Sequence, residues 1–151
     1  MIPRTPPGPG REGFALVATL LIILVLTVIA VGATWLASSE HKATTAESVH
    51  VRALFSADSG GEAAINFIRL ADDPPPITDF ADMTVRTQGA TSIDAGQRYR
   101  YGCRFVRKRP KAGWGTDYLD YEYAVDAAGT TGAQGNSAVQ VVASRLYREG
   151  Y

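Results

Sequence analysis

The chain has 151 residues with 15 basic and 15 acidic side chains, so its formal net charge is zero and it has room for one globular domain at most. That excludes a large multidomain enzyme. A mean hydropathy of −0.04 conceals an asymmetry, since no charged residue occurs between Glu12 and Glu40 while the remainder is polar.

Residues 1–13, MIPRTPPGPGREG, carry four prolines and three glycines and read as a leader without helix or strand. The uncharged run from Gly13 to Ser39 follows, and its core from Phe14 to Ala37 has only threonine as a polar interruption. At 1.5 Å per helical residue this core reaches about 36 Å, enough to cross a hydrocarbon layer of roughly 30 Å. Residues 14–38 therefore form a membrane-spanning segment. Arg4 and Arg11 precede it, and Glu40, His41 and Lys42 follow it. Basic residues favour the cytoplasmic side, which places the short N-terminus in the cytoplasm and exports the C-terminal part. A cleaved secretory signal is the competing reading, but its apolar run would be about 7–15 residues long and would end at a small-x-small site. Here the run is longer, and Ala37 makes a poor cleavage site.

Helical composition continues from Phe14 to Leu70, a rod of about 85 Å, until Asp72-Asp73-Pro74-Pro75-Pro76 stops it. Residues 39–73 form its amphipathic half. Val51, Leu54, Asp58, Gly61, Ile65 and Ile68 recur at three- and four-residue steps, flanked by Phe55 and Ala64, and are expected to face the rest of the domain. Asp58 in this stripe is either solvated at its edge or met by an arginine. Gly60-Gly61, each costing on the order of 1 kcal/mol in a helix interior, mark a close backbone contact or a bend.

Residues 74–151 read as an exported β domain. From Gln97 to Lys108, Tyr99, Tyr101, Cys103 and Phe105 alternate with Arg98, Arg100 and Arg104. From Tyr118 to Asp126, Leu119, Tyr121, Tyr123 and Val125 alternate with Asp120, Glu122 and Asp126. With a turn in RPKAGWGT, the two strands pair antiparallel, apolar residues toward the helix and an exposed arginine row opposite a carboxylate row. Further strands are expected at Ala138–Tyr147 and, more weakly, at Met83–Gln88, with Gly129–Ser137 as a hairpin connection. The fold class is α+β, one long helix packing its C-terminal half on a small antiparallel sheet of three or four strands.

Chemistry is sparse. Gly129–Ser137 lacks the Gly-Lys-Ser/Thr of a phosphate loop, and the carboxylates from Asp117 to Asp126 lack the central glycine and final glutamate of a calcium loop. Lone Cys103 forms no internal disulfide, and Cys103 with His41 and His50 makes no metal site, so no metal or other cofactor is expected. Both histidines lie in the helix, leaving the sheet without a base for a nucleophile. Arg98, Arg100 and Arg104, interleaved with tyrosines, are candidates for nucleic-acid contact. Against this reading, the acidic row neutralises half of the basic cluster and the tyrosines fall on the opposite face.

Arg11-Glu12-Gly13-Phe14-Ala15-Leu16-Val17, a short basic leader ending in glycine ahead of phenylalanine and an apolar helix, resembles the class III signal of type IV pilins and type II secretion pseudopilins. The run GFALV, then LLIILVLTVIAVGA, then ALFSADSGGEAAI resembles the PilX-type minor pilins over roughly residues 11–70. The resemblance implies cleavage by prepilin peptidase between Gly13 and Phe14 and N-methylation of Phe14. It also implies storage in the inner membrane, followed by transfer through an assembly platform into a pilus or pseudopilus filament. Other pilins are the implied partners, through helix packing at Ala18, Gly32, Asp58, Gly60 and Gly61, and the implied role is assembly without enzymatic activity. Major pilins carry glutamate at the fifth mature position, where this chain has Ala18; that departure points to a low-copy priming or tip subunit. The alternative is an unprocessed single-pass anchor whose exported β domain binds a ligand or partner.

Overall fold

The computed structural model describes residues 11–132 and 134–150, so Met1–Gly10 of the expected leader lie outside the described residues. In chain order the elements are α1 (Arg11–Leu70), β1 (Thr84–Asp94), β2 (Gln97–Pro110), β3 (Tyr118–Thr131) and β4 (Asn136–Arg148). The chain divides into two compact units, Met1–Thr45 and Ala46–Tyr151.

In the first unit the helix is already formed at Arg11, ahead of Phe14. The last three residues expected in an irregular leader are therefore helical. A helix pays its cost in nucleation, and extending it by three residues past one glycine is cheap. Along the apolar run the side chains stand free, from Phe14 at 77% to Trp35 at 76% exposed. Its polar atoms are satisfied locally: the hydroxyls of Thr19, Thr27 and Thr34 donate to the carbonyls of Leu16, Ile23 and Ala30. The threonine hydroxyls of the apolar run thus find their acceptors within the helix itself.

In the second unit the four strands form one antiparallel meander in the order β1-β2-β3-β4. Gly96, at φ 83°, makes the tight turn between β1 and β2. Tyr101, Cys103, Tyr123, Val125 and Ala127 line the inner face and meet Ala64 and Ile68 of α1 in the core, with Val85 from β1. Phe105 lies edge-on to Tyr123 with ring centroids 6.0 Å apart, and Tyr121 lies edge-on to Tyr147 at 5.2 Å. Offset and edge contacts of this kind add about 0.5–1.5 kcal/mol each to the burial of the rings.

The helix face differs from the expected stripe. Ala53, Ser56, Ala57, Ala64 and Ile68 are buried, with Gly60 and Gly61, whereas Val51, Leu54, Phe55 and Asp58 are exposed. Ile65 is half-buried. The reason lies in the sheet, at Gly129 inside β3. A Cβ there would collide with the Ala57 nitrogen and the Ala53 carbonyl oxygen, and one on Gly135 would strike Val49. So close an approach admits only alanine, serine and glycine on the helix, and the larger Val51, Leu54 and Phe55 turn outward.

Asp58 accordingly takes the solvated edge. Gly60 marks a close contact, since a Cβ on it would sit 3.3 Å from the Cβ atoms of Tyr99 and Ala127. The C-terminal end of α1 is held by arginines. Arg145 of β4 donates to the Ile68 carbonyl, which the Tyr147 hydroxyl also meets at 3.4 Å. Arg86 of β1 lies 4.4 Å over the Phe67 ring. Cations at this end satisfy the last carbonyls and complement the helix dipole.

Candidate functional site

Three surfaces carry the residues singled out in the sequence. The first is the junction at Gly13 and Phe14. Both are exposed on the helix, and a Cβ on Gly13 would meet nothing within 4 Å. Among the described residues, no packing contact therefore requires glycine at 13. The same holds for Gly32, whereas Ala18 is half-buried.

The second is the outward side of the helix in the second unit. Phe55 is 65% exposed and Leu54 42%, beside exposed Asp58 and Glu62. Of the five positions assigned to helix packing, Gly60 and Gly61 are taken up by this chain's own sheet. Ala18, Gly32 and Asp58 are not covered by it.

The third is the outer face of the sheet. A bulge between Phe105 and Arg107 shifts the alternation of β2 by one residue. Before it the outward arginines are Arg98, Arg100 and Arg104; after it they are Arg107 and Arg109. Arg107 Nε lies 2.6 Å from Glu122 and Arg109 2.7 Å, while Lys111 reaches Asp120 at 3.5 Å. Arg104 meets Asp126 at 3.1 Å, and Gln140 donates to the same carboxylate at 2.7 Å. The arginine and carboxylate rows thus face one another as expected, with a correction. Glu122 and Asp120 are covered, at 8% and 5% exposure, because the cationic side chains fold over them. The hydrogen bond from Arg107, reinforced by the charges of Arg107 and Arg109, holds the Glu122 carboxyl below its ordinary value against the opposing pull of desolvation. On the inner side, Lys108 and the Tyr121 hydroxyl both donate to Glu149, lowering its pKa.

Arg98 and Arg100 have no ion pair among the described residues, and Tyr99 and Tyr101 turn toward the helix. No aromatic ring therefore stands beside these two arginines to stack a base. An open depression of about 550 Å³ lies over Gly102, Ala128 and Ala138, walled by Arg100, Asp126 and Gln140. Asp126 there is already engaged by Arg104 and Gln140. Burial lifts the Cys103 thiol to about 11, which leaves it protonated and inert. Among the described residues no cluster of three or more His, Cys, Asp or Glu side chains could hold a metal.

Sequence reasoning missed Gly129, Arg145 and the bulge. Gly129 was open to detection, since a glycine inside an alternating strand marks a close backbone approach. Arg145 had no such signal.

Comparison with known proteins bears on the helix. Residues 12–62 match the family model of the PilX N-terminal region. Over those residues the chain is PilX-like. No curated protein and no solved structure matches it. The PilX-like segment takes in the apolar run, the Gly13–Phe14 junction, and the part of α1 that seats Ala53, Ala57 and Gly60 against the sheet. The strands lie beyond it.

Proposed function

We propose that the protein is a minor pilin of a type IV pilus or a related secretion filament, cleaved by prepilin peptidase between Gly13 and Phe14 and methylated on Phe14. The carrying observation is an apolar helical run whose large side chains, from Phe14 to Leu36, stand exposed among the described residues, within the PilX-like segment. A surface that apolar is held in lipid or against like helices. The helix is long and apolar enough to cross a membrane, and the expected topology has the N-terminus in the cytoplasm and the sheet outside the inner membrane. The run then exchanges lipid for the helices of neighbouring subunits, with exposed Val51, Leu54 and Phe55 extending the contact. Ala18, in place of the glutamate of major pilins, supports a priming or tip subunit of low copy number. The role is structural, and no covalent chemistry by this chain enters it.

The mass of the protein isolated from filaments or inner membrane tests the proposal. Loss of residues 1–13 and gain of one methyl group is expected. An intact leader would overturn it in favour of a single-pass anchor.

A further inference from the structure

The outer face of the sheet has a neutralised half and an unneutralised one. Toward the turn between β2 and β3, Glu122 is held by Arg107 and Arg109, and Asp120 by Lys111. Midway along, Asp126 is held by Arg104 and Gln140. Beyond Asp126 the balance changes. Arg98 and Arg100 are exposed, and their side chains have no ion pair or hydrogen bond among the described residues. Asp94, at the end of β1, accepts from the Ala95 amide at 2.7 Å and reaches neither of them.

The register of the strands aligns these arginines with particular neighbours. Ser92, Arg98, Thr130 and Asn136 form one row across all four strands, and Arg100, Ala128 and Ala138 form the next across β2, β3 and β4. At about 4.8 Å between strands the first row spans about 14 Å, and about 7 Å along β2 separates it from the second. Every polar side chain in the two rows carries an N–H or O–H donor, and none is a carboxylate. The short Ala128 and Ala138, with Gly102 beyond them, floor the open depression that Arg100 borders.

A surface of donors with two unneutralised cations is complementary to negative charge. Its rows extend too far for a single phosphate or carboxylate group to engage, so the matching partner is a chain of anions. Tyr99 and Tyr101 turn toward the helix, so the unstacked bases of a single strand find no ring here. A duplex asks for none. Its bases stay stacked inside, while its phosphate oxygens accept from arginine, serine, threonine and asparagine side chains. We propose that the outer face around Arg98 and Arg100 binds duplex nucleic acid through the phosphate backbone, without reading its sequence. Ser92, Thr130 and Asn136 donate to phosphate oxygens beside the Arg98 contact. The floor of Gly102, Ala128 and Ala138 lets the backbone approach Arg100, where longer side chains would hold it away.

The test titrates the full chain, in micelles of a neutral detergent, into a fluorescent duplex of about 20 base pairs and follows anisotropy between about 50 and 200 mM salt. With two phosphates neutralised, log affinity should fall against log salt with a slope of about −2. Arg98→Gln and Arg100→Gln should each reduce the slope by about 1, and the two together should weaken binding about tenfold or more. Ala138→Glu, an exposed carboxylate on the floor of the depression, should weaken it in the same sense. Arg69→Gln removes the same charge from the end of α1 and should change nothing. All four positions are exposed, so the core is untouched. A slope near zero, binding unaltered by the paired arginine substitution, or an equal loss in Arg69→Gln would refute the site. Tighter binding of a single strand of the same length, or of an acidic polysaccharide of equal charge, would overturn duplex nucleic acid as the occupant. Leader removal is read separately by mass, so the pilin proposal and this one fail independently.

Discussion

Glu122 shows how a side chain on the solvent face of a sheet becomes structural. It is held by Arg107 and Arg109 on the neighbouring strand, and its pKa is lowered from 4.5. A carboxyl whose folded pKa is depressed contributes stability above its unfolded value and loses it as pH falls through the folded one. The chain should therefore lose stability on acidification below about pH 4.5, with Glu149 acting in the same sense. Glu122→Gln should lower the urea midpoint at pH 7 and flatten its decline toward pH 3. Identical slopes for the two proteins between pH 5 and pH 3 would show that the ion pairs contribute nothing. Asp126 is different, since it and Arg104 are about half exposed, and such pairs are worth little.

Among the elements, the contact between α1 and β3 is the most demanding. Gly129 admits the helix backbone where any Cβ would strike Ala53 and Ala57, whereas a Cβ on Gly61 would meet only Val141, at 3.9 Å. Gly129→Ala should cost about 3 kcal/mol or more, since backbone cannot yield as a side chain does. Gly61→Ala should be neutral or stabilising by up to about 1 kcal/mol, as helix propensity rises without a clash. Thermal melts of the two variants in the same detergent check the pair, and equal losses would refute the close approach. The same contact explains the misread face of the helix. Periodicity picked Val51, Leu54 and Phe55 because they are the most apolar residues, but the sheet selects by size. Gly61, Ala64 and Ile68, where size and polarity agree, were read correctly.

For the molecule as a whole, the apolar run imposes a division of labour between the two units. One presents an exposed apolar helix, and the other encloses its own core. Because a Cβ on Gly13 meets open space, Gly13→Val should leave folding and membrane insertion intact while blocking leader removal and abolishing filaments or secretion. Immunoblots of membrane fractions would show the uncut form accumulating, and normal cleavage would count against the peptidase assignment.

What the sequence determined by itself was everything carried by local period and composition. The membrane-length apolar run, the end of α1 before the triple proline, and the inward sides of β2 up to Phe105 and of β3 all follow from neighbours a few residues apart. Only the tertiary structure decided which side of α1 turns inward, that the bulge past Phe105 hands the outer face to Arg107 and Arg109, and that Arg145 closes the helix end. Each of these depends on residues distant along the chain, Gly129 against Ala57 or Arg145 against Ile68. Steric exclusion and hydrogen bonding at such contacts override the hydrophobic pattern, because a backbone collision costs more than an exposed valine or phenylalanine.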